Sequence, residues 1–200
     1  MGVETVVITE DDRADAASFA PAADGTALLE REARGEGHSF LEAVRRFTES
    51  HLPCRGWYRV LEVGAGAGSR AMLLAERGYE VTVVESDELA LRFVRHRFER
   101  RGLHAGFQRL DRLAEIEGRF DAVFCFDPPV SSASPTTALK ELRRLVRPRG
   151  LLFGGPGFAD VPPKELRRAA LKVDENGVSE FQVFRAGGKL QKLVSLFSRL

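Results

Sequence analysis

The chain has 200 residues, of which 44% are hydrophobic and 30% charged, which suits one domain with a substantial core. A formal net charge of +1 gives no global electrostatic reason to expect nucleic acid or an anionic membrane as partner. Two cysteines, Cys54 and Cys125, and four histidines without ligand spacing argue against a disulfide framework or a metal site and fit a reducing cytoplasm. No run approaches the length of a membrane span, and the acidic start lacks the basic and apolar parts of a signal peptide.

Taken in order, residues 1–36 read as a partly flexible arm, with 37–200 as the single folded domain. The stretch 11–25, rich in Asp and Ala and containing Pro21, reads as loop or disordered segment. Ser39 and Glu42 form a capping box for a helix whose Phe40, Leu41, Val44 and Phe47 share one face. Val60 to Val63 is a short apolar run suited to a buried parallel strand. The small-residue loop Gly64-Ala65-Gly66-Ala67-Gly68 follows, then a helical pattern from Ser69 that Gly78 is placed to end. A strand, a tight glycine turn and a helix start make a nucleotide-sized site.

The spacing narrows the ligand. A dinucleotide fingerprint wants its third glycine where this chain has Ser69. Glu62, two residues before the first glycine, would repel a pyrophosphate yet could serve an ammonium or sulfonium charge. With Glu62, Gly64, Gly66 and Gly68 in register, the sequence resembles the class I S-adenosylmethionine-dependent methyltransferases, whose first motif reads Glu-x-Gly-x-Gly-x-Gly. The resemblance implies an α/β fold: a doubly wound, mostly parallel seven-stranded sheet with a C-terminal antiparallel hairpin. It implies S-adenosyl-L-methionine as cofactor.

The remaining elements fall in the order this fold requires. Residues 80–84 make the second strand, and Glu85 at its tip can accept two hydrogen bonds from ribose hydroxyls; Ser86 would follow at the adenine edge. Asp87 reads as the N-cap of a helix over 88–101, with Leu91, Val94 and Phe98 inward and Arg92, Arg95, Arg97, Arg100 and Arg101 on the remaining, solvated surface. Residues 105–110 read as the third strand. The resemblance gives Asp111 the adenine amino group and the Arg112 main chain a ring nitrogen, and it adds Phe126, at the end of the fourth strand, to the cofactor set.

Residues 120–126 lead into Asp127-Pro128-Pro129-Val130, where two readings compete. Enzymes that methylate amino groups of nucleic acid bases carry Asn/Asp-Pro-Pro and then an aromatic residue. Here Val130 stands in the aromatic place, and the five residues between Asp121 and Asp127 are one more than that pattern has. The small-molecule branch instead aligns without a gap from Phe120 through the helix 138–145 and the turn Arg147-Pro148-Arg149-Gly150 to Phe153. Asp127 is the candidate base or orienting group in either. A helix over 163–173 and a hairpin of residues 178–185 and 189–197 around Gly187-Gly188 complete the chain.

The expected activity is methyl transfer to a small molecule by in-line displacement, in a cytoplasmic monomer or homodimer with no membrane partner. The alternatives are an RNA or DNA base methyltransferase using the Asp127 loop, and a non-catalytic cofactor-binding regulatory partner.

Overall fold

The computed structural model describes residues 8–34, 58–109, 113–125, 134–155, 158, 161–162 and 164–165, with backbone alone at 171–173 and 182–186. Its centre is the strand β1 (Arg59–Val63), where side chains alternate between two covered faces. Leu61 and Val63 join one apolar cluster, and Val60 joins the other. That alternation on a strand buried on both faces is what a parallel sheet needs. β2 (Glu80–Glu85) pairs with β1 on one side and β4 (Phe120–Cys125) on the other, both parallel. β3 (Gly106–Arg109) lies parallel beyond β2, and β5 (Val146–Gly154) parallel beyond β4.

The order β3-β2-β1-β4-β5 reverses direction at β1, so the connections after β1 and β4 diverge and leave a crevice at the carboxyl edge. α3 (Ser69–Glu76) and α4 (Glu88–Arg100) cover one face through Met72, Leu74, Leu91, Val94 and Phe98. α5 (Pro135–Leu145) covers the other through Ala138, Leu139 and Leu142. α4 and α5 begin where the sequence supplies a capping side chain. Asp87 accepts from the amides of Leu89 and Ala90, and Ser134 accepts from Thr137. Gly78 ends α3 in the left-handed region (φ 84°), with the Tyr79 amide returning to the Leu74 carbonyl.

The Phe120-Asp121 pair has a structural duty. Asp121 accepts the Arg59 amide at 2.9 Å and Arg147 Nη1 at 2.8 Å, tying β1, β4 and β5 together. Opposite it, residues 147–150 bulge out of β5 between the Phe120–Val146 and Ala122–Leu151 pairs. A Cβ at Gly150 would stand 2.7 Å from the Asp121 carbonyl oxygen, so the bulge requires glycine there.

Three expectations are corrected. The stretch 11–25 is not a loop: α1 (Glu10–Ser18) and α2 (Ala22–Arg34) are helices. Thr9 and Asp12 close a capping box at the first of these. Gly25 sits inside α2 because a Cβ there would be 2.9 Å from the Phe93 ring and 3.1 Å from Ala16 Cα. Ala16, Phe19, Leu28 and Leu29 pack with Ala67, Ala90 and Phe93, so this helical pair is fastened to α4 and to the glycine loop.

Second, residues 171–173 do not continue a helix. They form the strand β6 (Leu171–Val173), antiparallel to β7 (Gln182–Ala186), which lies antiparallel along β5. The strand pairing therefore joins 171–173 to 182–186, and the run 189–197 lies outside the described residues.

Third, the arginines of α4 are not simply solvated. Arg97 is 1% exposed and pairs with Asp12 and, at 3.2 Å, with Asp15. Arg100 and Arg101 also pair with Asp15, at 3.1 and 2.8 Å. Arg92 lies over the Phe19 ring and Arg95 over Phe107.

Candidate cofactor site

The glycine loop at the crevice adopts a conformation that its residue types impose. Gly64, Gly66 and Gly68 all have positive φ, at 75°, 59° and 85°. At Gly68 the reason is packing as well: a Cβ would come within 2.7 Å of Val94 Cγ1, so the loop is pressed onto α4. At Gly64 and Gly66 a Cβ would meet nothing among the described residues within 4 Å, which leaves the front of the loop open to a ligand's approach.

Two carboxylates stand at the tips of β1 and β2 beside this loop. Glu85 is 7% exposed. Its Oε1 accepts the Ser86 and Asp87 amides at 2.7 and 3.0 Å, and its Oε2 accepts the Gly66 amide at 3.0 Å. The strand tip and the glycine loop are thereby locked together, and Oε2 keeps capacity for a further donor. Ser86 is exposed beside it.

Glu62 is 1% exposed and accepts Arg70 Nε at 2.8 Å on Oε1. Arg70 in turn donates from Nη2 to the Gly64 carbonyl at 3.1 Å and the Ala65 carbonyl at 3.4 Å. Its Nη1 lies 3.6 Å from Glu32 Oε1, on α2. Ser69 Oγ donates to Glu32 Oε2 at 2.8 Å and accepts Arg97 Nη1 at 3.2 Å.

Glu32 and Arg70 are site residues that the motif reading did not single out. Arg70 carried a usable sign: it shares the buried stripe of α3 with Ala71 and Leu74, and a buried arginine requires a carboxylate.

Burial pushes the Glu62 carboxyl up to about 7, against the pull of Arg70 and with the repulsion of Glu32 and Glu85 added. Because its folded value lies above the ordinary 4.5, the folded state holds this proton more tightly than the unfolded chain. The associated stability is fully present below about pH 4.5 and is lost as pH rises through about 7. On the order of 2 kcal/mol of that loss falls between pH 5.5 and 8.5, or about 4–8 °C in melting temperature. Glu62→Gln, which mimics the protonated carboxyl, should shrink the wild-type difference in melting temperature between those two pH values by that amount. A Glu62→Gln protein with the full wild-type pH dependence would show that another group is responsible. Asp12 contributes nothing in this window: burial raises its pKa, but its Thr9 hydrogen bonds and Arg97 and Arg101 outweigh that and hold it below 3.8.

The residues Asp111, Arg112, Phe126 and Asp127 lie outside the described residues, as does the helix expected over Phe40 and Phe47. Among the described residues no group of three or more His, Cys, Asp or Glu could hold a metal ion, and no helix is long and apolar enough to cross a membrane.

Residues 60–150, from β1 to the bulge of β5, match the family model described as "Methyltransferase domain". The fold is one that solved methyltransferases share. Among solved structures, the N-methyltransferase NodS from Bradyrhizobium japonicum WM9 in complex with S-adenosyl-L-homocysteine superposes with a TM-score of 0.59 at 18% identity, over 79% of this chain and 91% of that one.

Among curated proteins, a ubiquinone biosynthesis O-methyltransferase of Pseudomonas aeruginosa (strain LESB58) is 30% identical over 99 residues, 48% of this chain. Glycine N-methyltransferase of Rattus norvegicus is 30% identical over 115 residues, also 48% of this chain. The match spans less than half of either relative, 42% and 39% of their lengths.

Proposed function

We propose that this chain is an S-adenosylmethionine-dependent methyltransferase that methylates a small-molecule acceptor. The observation that carries the reading is the convergence of the open Gly64–Gly66 loop with Glu62 and Glu85 at adjacent strand tips. S-adenosylmethionine fits this set. Glu62 Oε2 is buried with no hydrogen-bond partner among the described residues and has room to accept one, while Glu85 Oε2 can take a ribose hydroxyl beside the Gly66 amide.

When bound, the cofactor supplies a methyl group on a good leaving group. The protein then has to position the acceptor in line and shield the site from water. We assign Asp111, the Arg112 main chain, Ser86 and Phe126 to the adenine end, and Asp127 to the acceptor as base or orienting group. A base is required only where the nucleophile must lose a proton. The domain is read as residues 37–200, a seven-stranded sheet closed by its antiparallel pair, with 1–36 as an arm across the loop. A cytoplasmic location and a monomeric or homodimeric state complete the reading.

The small-molecule branch is favoured over a nucleic acid substrate because the arginines of α4 are engaged within the protein. Arg97, Arg100 and Arg101 serve Asp12 and Asp15 instead of offering a phosphate-binding face. Incubating the protein with S-adenosylmethionine labelled in its methyl group and with cell extract tests this. Label should enter the small-metabolite fraction. Label in RNA or DNA would move the reading to base methylation, and label in no fraction would favour a non-catalytic cofactor-binding partner.

A further inference from the structure

Glu32 is far from the glycine loop in sequence, yet its side chain is 8% exposed and held against that loop by Ser69 and Arg70. Two acceptors here have no hydrogen-bond partner among the described residues, Glu32 Oε1 and Glu62 Oε2, and both are fully buried. Among the described residues Glu32 Oε1 has the 3.6 Å approach of Arg70 Nη1, whose guanidinium is shared with Glu62 and with the carbonyls of Gly64 and Ala65.

Glu85 is held by backbone amides, and among the described residues Glu32 and Glu62 share the Arg70 guanidinium. Buried acceptors without donors carry a large desolvation cost that a ligand cation with several N–H donors would offset.

We propose that Glu32 is a specificity-determining acceptor for the α-ammonium at the aminoacyl end of the cofactor. This assignment rests on the cofactor reading above. The α1–α2 pair places Glu32 through a continuous chain of contacts. Asp12 and Asp15 hold Arg97, Arg97 donates to Ser69 Oγ, and Ser69 Oγ donates to Glu32 Oε2. One oxygen of Glu32 is thus committed to the loop, and the other is buried beside Arg70 with no hydrogen-bond partner among the described residues.

The test is calorimetric titration of the full chain with two ligands that share an adenosine. S-adenosylhomocysteine carries the ammonium, and 5′-methylthioadenosine does not. Glu32→Gln should weaken S-adenosylhomocysteine at least 10-fold while leaving 5′-methylthioadenosine within about 2-fold, and Glu32→Asp should recover part of the loss. Equal losses for both ligands, or no loss for either, would overturn the assignment and leave Glu32 a structural residue. Should Glu32→Gln not fold, Ser69→Ala keeps the carboxylate but frees its anchor. A loss of about 3-fold confined to S-adenosylhomocysteine then supports the assignment, and unchanged affinity overturns it. Wild-type protein that binds neither ligand would instead remove the cofactor reading itself.

Discussion

Replacing Glu85 by alanine should lower the affinity for S-adenosylhomocysteine at least 100-fold while leaving the protein folded. Two effects add. The carboxylate would no longer receive the ribose hydroxyls, and hydrogen bonds to a charged group are worth about 1.5–3 kcal/mol each. The amides of Gly66, Ser86 and Asp87 would also lose the acceptor that locks the glycine loop to the tip of β2. Glu85→Gln retains acceptor oxygen without the charge and should fall between alanine and wild type. Titration calorimetry of the three proteins checks the order. An alanine variant within about 3-fold of wild type would mean that Glu85 serves only the loop backbone.

Arg97→Met should be the most destabilising of the arginine substitutions on α4. The guanidinium is 1% exposed and serves Asp12, Asp15, the Ala67 carbonyl and Ser69 at once. Methionine fills much of the volume but strands the buried ends of these contacts. Breaking a buried pair by removing one partner costs about 3–5 kcal/mol, although Arg100 and Arg101 still face Asp15 and hold the cost toward the lower end. In a chain of this size about 3 kcal/mol corresponds to a fall of about 6–12 °C in melting temperature. Arg95→Met is the comparison: Arg95 is exposed over the Phe107 ring and its loss should cost less than about 1 kcal/mol. Thermal melts giving equal falls for the two variants would contradict the fastening role assigned to Arg97.

The parts of this fold that are legible in the sequence are those in which one short stretch carries its own reason. Val60 to Val63 alternates between two apolar faces, three glycines need positive φ, and Asp87 and Gly78 mark helix ends. The meeting of Glu62 and Glu85 beside the glycine loop was legible because both stand at the carboxyl ends of neighbouring parallel strands.

The N-terminal helices were not legible, because α1 mixes acidic residues with alanines and has no apolar stripe beyond Ala16, its carboxylates being paired with arginines of α4. Its Asp12 and Asp15 look like disorder-prone residues until Arg97, more than eighty positions away, is brought to them. Arg97 itself lies on the stripe with Phe93, Val94 and Phe98, and that placement among buried residues was the available sign. Glu32 was hidden for the same reason: its role depends on a tertiary contact with Ser69 and Arg70 that no local pattern encodes. At the other end, the run 171–173 is too short to declare itself a strand until β7 lies beside it.

The most direct measurement is a crystal structure of the full chain grown with saturating S-adenosylhomocysteine. The account predicts the ligand along the carboxyl edge of the sheet, over Gly64 and Gly66, with its ribose hydroxyls within hydrogen-bonding distance of Glu85 and its aminoacyl end toward Glu62. A ligand bound elsewhere on the molecule, or crystals in which this edge stays empty at saturating concentration, would contradict it.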